Sequence, residues 1–261
     1  MADKNNGEIA LQSRTSRLEA GNSTENIVSS QNRNSSAWSI QRIIVSILDV
    51  INHILIIMVT VYLVCIFAKD YVISNSKYGL YSLHVILCTI GYVLLMSEAI
   101  IVLASDNILT GCLSRRANKH LHWILQVIGL ILNLVGVGIV YFNRTQHFKS
   151  IHAITGLASL VIVFVVTIFG YPVWIAWKLR KFIRPVVTKF LHNFLGLAGY
   201  VIGIVSQCYG YKKKMVHRLT DVKYIDEALL GLTIVITIIS LRKAFFVSLP
   251  RQISGTLKTI Q

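Results

Sequence analysis

Charged side chains are scarce in this sequence. Only 14% of its 261 residues are charged, whereas 54% are hydrophobic, and the mean hydropathy is +0.62. That composition excludes an ordinary soluble domain, in which about a quarter of the residues are charged. Acidic residues are the scarcest, with 11 against 26 basic ones, so the formal net charge is +15. The composition therefore predicts a basic membrane protein.

Clustered cysteines and nucleic-acid-binding patterns are also missing. Cys65, Cys88, Cys112 and Cys208 stand singly, without a CxxC pair. Their spacing argues against a disulfide framework and against a zinc cluster. No surface of interleaved basic and aromatic residues indicates binding to nucleic acid. We interpret the positive charge as a topology signal and as an attraction for anionic lipid or an anionic small substrate.

The sequence does contain six apolar runs of about 20 residues or more, and each is long enough to cross roughly 30 Å of hydrocarbon as a helix. They cover residues 43–68, 80–104, 121–142, 151–177, 187–210 and 225–249. These runs predict an all-α integral membrane protein with six transmembrane helices, and we assign residues 40–249 to one transmembrane domain.

The distribution of Lys and Arg predicts the orientation. Most of the 26 basic residues fall on one side of the membrane if the N-terminus is inside, and basic residues resist translocation. We therefore expect both termini to be cytosolic. Residues 1–37 are rich in Ser and Asn without an apolar period, so they are expected to be a disordered cytosolic tail. Residues 250–261 are expected to be a cytosolic C-terminal tail.

Four histidines each fall within the first turn or two of a separate predicted helix, from the second helix to the fifth: His84, His122, His152 and His192. Consecutive helices alternate in direction, so His84 and His152 share the outer level, and His122 and His192 the cytosolic level. Such side chains are costly in hydrocarbon and call for a common ligand. Each pair could hold one haem iron from opposite faces, and the resulting six-coordinate iron suits electron transfer.

We therefore predict two bis-histidine haems in a four-helix core formed by the second to fifth helices, with the first and sixth helices at the periphery. Small or polar residues follow each histidine on the same helical face. They are Cys88, Gly91 and, near the other end, Glu98 after His84; Gln126, Gly129, Asn133 and Gly136 after His122; Gly156 and Ser159 after His152; and Gly196, Gly199, Gly203, Ser206 and Gly210 after His192. We interpret these stripes as room for a flat macrocycle, although close helix packing is the other use of such patterns.

A metal-ion or proton transporter is the alternative class. Such a protein gathers its ligands at one midplane site, often with carboxylates and broken helices. Here the histidines are divided between two levels and the helices look continuous, which favours electron transfer. A scaffold that has lost haem is a third interpretation.

Several short motifs resemble the cytochrome b561 family, in particular its short cytochrome b561 domain-containing subfamily. They are Met96-Ser-Glu-Ala with the upstream His84, His122-Trp-Ile-Leu-Gln126, His147-x4-His152 and Leu191-His192-x3-Gly196. The resemblance covers about residues 40–249. It implies that His84 and His152 are the axial ligands of an outer haem b, and His122 and His192 those of a cytosolic haem b.

The resemblance also implies a transmembrane ascorbate-dependent oxidoreductase with no catalytic group beyond the haems. Cytosolic ascorbate would reduce the inner haem, and the outer haem would reduce monodehydroascorbate or a ferric chelate. The sequence departs from the family at Asn143, where many relatives carry a histidine. Endoplasmic reticulum, vesicular and plasma membranes are all consistent with the sequence, as is a homodimer.

Because ascorbate is an anion, we expect cations beside the inner histidines to bind it. The candidates are Arg115, Arg116, Lys119 and Lys189, although ordinary positive-inside charge explains them equally well. On the outer side, His147, Phe148 and Lys149 lie about one turn from His152 and are expected to position an acceptor or haem propionates.

The remaining polar residues receive structural interpretations. We expect His53 to pair with Asp49, with a role beside the inner haem as the alternative. Asn133 is expected to make an interhelical hydrogen bond, with haem orientation as the weaker alternative. Glu98 is expected to pair with a cation or, alternatively, to accept a proton. His120 is expected to be interfacial, and His217 to be solvated.

Overall fold

The computed structural model describes residues 40, 43–73, 77–104, 109–174, 184–220 and 222–260. Within these ranges the chain forms helices and turns and contains no strand. The predicted disordered tail, residues 1–37, lies outside the described residues.

The helices follow one another along the chain. In order they are α1, Ile43–Ile73; α2, Lys77–Cys88; a π-helical stretch, Thr89–Met96; α3, Ser97–Ile101; α4, Arg115–Phe142; α5, Ile151–Trp174; α6, Pro185–Tyr211; α7, Lys214–Thr220; α8, Ile225–Lys243; a second π-helical stretch, Ala244–Ser248; and α9, Leu249–Ile260.

Six of the described helical segments are long and apolar enough to span a membrane, and the predicted all-α, six-span fold is confirmed. They are Ile43–Ile73, Gly79–Ile101, Arg115–Phe142, Ile151–Gly170, Pro185–Tyr211 and Ile225–Leu257. The second span is one continuous helix in which the π-helical stretch joins α2 to α3. Such a stretch is a local widening of the helix, and widenings of this kind are frequent at functional sites.

Four of the spans, the first, third, fifth and sixth, are longer than predicted. The third begins at Arg115 because Ser114 caps it, with its Oγ accepting a hydrogen bond from the Ala117 amide at 3.2 Å. The sixth continues to Leu257, so the chain does not leave the helix at residue 249. Residues 250–260, which we expected to be a tail, are helical, and their location on the cytosolic side stays a prediction.

The chain divides into two compact units at Ile47. In the first unit, the described residues are helical and their isoleucines, Ile40, Ile43, Ile44 and Ile47, are exposed. The second unit, Leu48–Gln261, contains all eight histidines.

Two apolar clusters hold the second unit together. One fills the centre of the helices that carry the four intramembrane histidines, and its largest members are Tyr92, Met96, Leu130, Leu197 and Tyr200. The other joins α1 and α8 to the second span through buried side chains such as Ile56, Phe67, Val93, Ile101 and Ile236. The first and last spans therefore pack against the second span.

Polar side chains also tie α1 to its neighbours. The buried Asp49 carboxylate lies 2.5 Å from Nη2 of Arg242 on α8. Nδ1 of His53 lies 2.7 Å from Oε1 of Glu98 on α3. The predicted pairing of His53 with Asp49 is therefore wrong, because each finds its partner on a different helix. The expectation that Glu98 pairs with a basic side chain agrees with its contact to His53.

Candidate functional site

His84 and His152 face each other across the bundle near one end of their helices. Their ring centroids are 6.1 Å apart and their planes are inclined by 83°. Nδ1 of His84, on α2, donates a 2.8 Å hydrogen bond to the Gly136 carbonyl of α4. Nδ1 of His152, on α5, donates a 2.8 Å hydrogen bond to the Ser206 carbonyl of α6. In the neutral imidazole this arrangement leaves Nε2 of each ring with a free lone pair.

His122 and His192 lie at the start of α4 and α6, at the opposite level. Nδ1 of His122 donates to the Ala99 carbonyl of α3 at 2.7 Å. His192 and His122 are electrostatic neighbours, and the Val166 carbonyl of α5 faces the ring of His192. Its Nδ1 nevertheless has no partner in hydrogen-bond geometry among the described residues. The two rings are thus held differently.

Backbone carbonyls of neighbouring helices orient three of the four rings. A carbonyl can only accept, so each of these hydrogen bonds places a proton on Nδ1 and leaves Nε2 as the nitrogen with a lone pair. Histidines that bind a metal commonly donate their other N–H to such a carbonyl, which fixes the ring orientation. The three rings therefore have the hydrogen bonding of metal ligands.

The glycine stripes mainly serve helix packing. A Cβ added at Gly199 would lie 2.9 Å from Cγ2 of Ile162, and one added at Gly203 would lie 2.7 Å from Oγ of Ser159. At Gly91 it would lie 2.6 Å from the side-chain amide of Asn133. The interpretation of these positions as room for a macrocycle is wrong, because neighbouring side chains already fill the space. Gly210 is different, since a Cβ there would come within 3.3 Å of Cε1 of His152.

Asn133 also differs from expectation. It is fully buried, and its amide donates a 2.8 Å hydrogen bond to the Gly129 carbonyl of its own helix. The side chain packs against Gly91 of the second span without the predicted interhelical hydrogen bond. A side-chain amide within a helix can donate its hydrogen bond to a carbonyl of the preceding turn. The sequence pattern does not distinguish this bond from one to a neighbouring helix.

The four cations proposed for the cytosolic side all lie near the beginnings of α4 and α6. Arg115, Arg116, Lys119 and Lys189 are exposed. The cap at Ser114 and the proline at the start of α6 begin these helices here. Each helix therefore presents its N-terminal amides and its basic side chains at the same end as His122 or His192, an arrangement that attracts anions.

The outer loop brings aromatic rings together. His147 stacks on Tyr141 with centroids 4.3 Å apart, and Phe148 lies 6.0 Å from His147. Phe148 adopts a left-handed backbone conformation with φ 54°, which is uncommon for a bulky residue. Its ring is 41% exposed, and Lys149 is also exposed. The three predicted outer residues thus form part of the surface after α4.

Two cations near the outer pair were missed by the sequence analysis. The charge of Arg144 acts on both His84 and His152, and that of Lys213 acts on His152. Nε of Arg144 donates to the Tyr81 hydroxyl at 3.3 Å, which holds the guanidinium beside α2. In the sequence both residues looked like ordinary loop charges, and only the tertiary contact distinguishes them.

The other two histidines lie away from these pairs. His120 is exposed on α4. The His217 side chain is 50% exposed, and its Nε2 lies 3.3 Å from Oδ2 of Asp226. His217 is therefore half-solvated, with an acidic partner that the sequence analysis did not assign.

Comparison with known families and proteins points in one direction. Residues 83–218 match the family model described as eukaryotic cytochrome b561. The human transmembrane reductase CYB561D2 is 29% identical over 148 residues, which cover 53% of this chain and 64% of that protein. The chain therefore spans just under two thirds of the length of this relative.

Two plant proteins are similar as well. Ascorbate-specific transmembrane electron transporter 2 of Zea mays is 24% identical over 153 residues, covering 54% of this chain and 60% of the relative. Transmembrane ascorbate ferrireductase 1 of Arabidopsis thaliana is 27% identical over 177 residues, which cover 64% of this chain and 70% of that protein. The matched family region contains all four intramembrane histidines described above.

Proposed function

This chain belongs to the eukaryotic cytochrome b561 family, and from that premise we propose that it carries electrons across a membrane through two b-type haems. The observation that carries the proposal is the His84–His152 pair, with its 6.1 Å centroid separation and its two Nδ1–carbonyl hydrogen bonds. Metal–imidazole bonds are about 2.0 Å long, so two rings that share one metal from opposite sides have centroids about 6 Å apart. The outer pair fits that requirement.

His122 and His192 are the proposed ligands at the cytosolic level. The hydrogen bond from His122 to the Ala99 carbonyl supports a ligand role for the first ring. His192 is the proposed second ligand, because it lies on α6 near enough to His122 for their charges to interact. When held by these two histidines, a b-type haem would supply one-electron transfer.

The protein's own part in this function is to orient the imidazoles and exclude water between the two levels. The central apolar cluster around Tyr92, Met96 and Leu130 fills that space. Its hydroxyls are satisfied internally: the Tyr92 hydroxyl lies 2.7 Å from Oγ of Ser159, and the Tyr200 hydroxyl 2.7 Å from Oγ of Ser97. The two tyrosine hydroxyls of this cluster are therefore hydrogen-bonded to other buried side chains.

We propose cytosolic ascorbate as the electron donor. Two relatives carry ascorbate in their names, and ascorbate is an anion at neutral pH. Arg115, Arg116, Lys119 and Lys189 would attract it to the ends of α4 and α6, beside His122 and His192. These side chains bind and orient the donor, while electron transfer itself needs no further catalytic side chain.

The outer acceptor is proposed to be monodehydroascorbate or a ferric chelate. Monodehydroascorbate is an anion, and many ferric chelates are anionic. The positive charges of Arg144 and Lys213, which act at the outer pair, would attract such an acceptor. His147, Phe148 and Lys149 would form the adjoining surface. The proposed activity is that of a transmembrane ascorbate-dependent oxidoreductase, with both termini in the cytosol.

The transporter alternative has less support. A transported cation would need a group of ligands at one place. Among the described residues, no three His, Cys, Asp or Glu side chains are grouped so that they could hold a metal ion. The paired histidines suit a flat cofactor with four ligands of its own better than a free ion.

The test is a visible spectrum of the detergent-purified full-length protein, oxidised in air and then treated with ascorbate, with haem quantified per chain. We expect about two low-spin b haems that ascorbate reduces. His84→Ala or His152→Ala should remove the outer haem, and His122→Ala or His192→Ala the inner one. A colourless protein from haem-sufficient cells would overturn the proposal in favour of a transporter or scaffold. Two full haems in any of the four variants would refute that ligand.

A further inference from the structure

A histidine and a carboxylate meet inside the membrane-spanning part of the protein without a part in haem ligation. Nδ1 of His53 lies 2.7 Å from Oε1 of Glu98, and the two side chains are 9% and 19% exposed. His53 is on α1, and Glu98 on α3. Ionisable side chains within a membrane span are expensive, and an acid–base pair there commonly serves function.

Glu98 is joined directly to the proposed inner site. The next residue, Ala99, offers the carbonyl that accepts the 2.7 Å hydrogen bond from Nδ1 of His122. Glu98 is therefore the immediate neighbour in sequence of Ala99, whose carbonyl orients His122, a proposed haem ligand. A change of charge on the His53–Glu98 pair would be felt at His122 through a medium of low dielectric constant.

Other charged and titratable groups face this pair from the neighbouring helices, and most of them already have partners of their own. From α1 and α8, Asp49 and Arg242 form a closed ion pair at 2.5 Å. The charge of Lys243, also on α8, acts on Asp49. From α6, the Tyr200 hydroxyl is hydrogen-bonded to Oγ of Ser97 at 2.7 Å. From α4, the titratable side chain is His122 itself.

Histidine is the side chain that gains or loses a proton near neutral pH. Nδ1 of His53 is in hydrogen-bond contact with the Glu98 carboxylate, so Nε2 is the nitrogen at which the ring would take up a further proton. An electron added to the apolar interior brings a negative charge that this interior solvates poorly. Uptake of one proton at the pair would cancel that charge.

We propose that His53 and Glu98 form a proton-binding site coupled to electron uptake at the His122–His192 level; this inference rests on the proposed function. Hydrogen ascorbate loses one electron and one proton and becomes the monodehydroascorbate radical anion. His122 and His192 would hold the haem that takes up this electron. One proton from the cytosolic solution converts neutral His53 into imidazolium beside the Glu98 carboxylate. When the electron moves to the outer level, His53 releases that proton.

The test is a potentiometric titration of the purified full-length protein, followed by its visible spectrum from about pH 5.5 to about pH 8.5. The midpoint potential of the inner haem should fall as pH rises, with a limiting slope of about 59 mV per pH unit, since each unit is a tenfold change in proton concentration for a one-electron couple. Glu98→Gln and His53→Gln should each flatten this slope while haem content stays at the wild-type level.

The matched control is the His217–Asp226 pair, which also joins a histidine to a carboxylate, at 3.3 Å, on α7 and α8. His217→Gln should leave the slope of the inner haem unchanged. Retention of the wild-type slope in both Glu98→Gln and His53→Gln would overturn the inference, as would a pH-independent inner potential in the wild type. If either Glu98→Gln or His53→Gln loses haem, the pH slope of the other variant tests the inference. A protein without ascorbate-reducible haem would instead reject the proposed function itself.

Discussion

Gly203 is the position where the packing can be tested most sharply. It lies on α6, opposite the π-helical stretch, where Tyr92 and Ser159 form a 2.7 Å hydrogen bond between buried side chains. The Cβ of an alanine at this position would lie 2.7 Å from Oγ of Ser159 and 2.8 Å from Cδ1 of Tyr92. Both distances are well below ordinary van der Waals contact, so the Tyr92 ring has to shift or the helices have to separate.

The cost of Gly203→Ala has two parts. Forcing an extra carbon into a filled core costs about 1–3 kcal/mol. Displacing Tyr92 breaks its bond to Ser159 and leaves a buried hydroxyl unsatisfied, which costs about 1–3 kcal/mol more. Together these parts lower the free energy of unfolding by about 2–6 kcal/mol. A gain in helix propensity of about 1 kcal/mol offsets part of this, so we expect a net loss of about 1–5 kcal/mol.

The assay is thermal unfolding of the purified protein in detergent, followed by helical circular dichroism and by haem absorbance. Gly231→Ala is the matched control, because no atom lies within 4 Å of the position that its Cβ would occupy. Its unfolding midpoint should equal that of the wild type or exceed it slightly. A Gly203→Ala protein that unfolds at the wild-type midpoint would show that the two helices are not packed as described.

Three further predictions address individual contacts. Arg242→Ala leaves the buried Asp49 carboxylate without its partner and should cost about 3–5 kcal/mol, whereas the double variant with Asp49→Asn should recover part of the loss in the same unfolding assay. Gly210→Ala should perturb the absorbance or potential of the outer haem alone, because its Cβ would contact His152; an equal change in both haems would contradict this. Arg144→Gln should slow reduction of an anionic ferric chelate and weaken the salt dependence of that rate, and an unchanged rate at low salt would remove Arg144 from the outer site.

The six spans were predictable because they depend on local composition. Hydrocarbon thickness sets the length of an apolar helix, and the predicted and observed starts coincide for residues 43, 151 and 225. The ends were less predictable. The last span continues past residue 249 through a second π-helical stretch into α9, because neighbouring helices offer packing for residues that look like a tail in isolation.

The polar pairs of α1 illustrate what pattern alone misassigns. Asp49 and His53 are one turn apart, and spacing along one helix predicts that they meet. In the folded chain, α8 brings Arg242 to Asp49, and α3 brings Glu98 to His53. A buried charge takes the partner that best compensates it, and a cation on another helix compensates Asp49 better than a nearby neutral imidazole.

The sequence by itself determined the number of spans, the family, and the placement of four histidines near the ends of their helices, because hydrophobic length and residue spacing are local properties of the chain. Only the tertiary structure decided which carbonyls hold the rings of His84, His122 and His152, which glycines are closed by neighbouring side chains, and where Arg144 and His53 point. Those features depend on how helices distant in the chain face one another. Contacts between helices set the geometry of a site that several helices share, and the residue pattern along one helix does not contain the distances between helices.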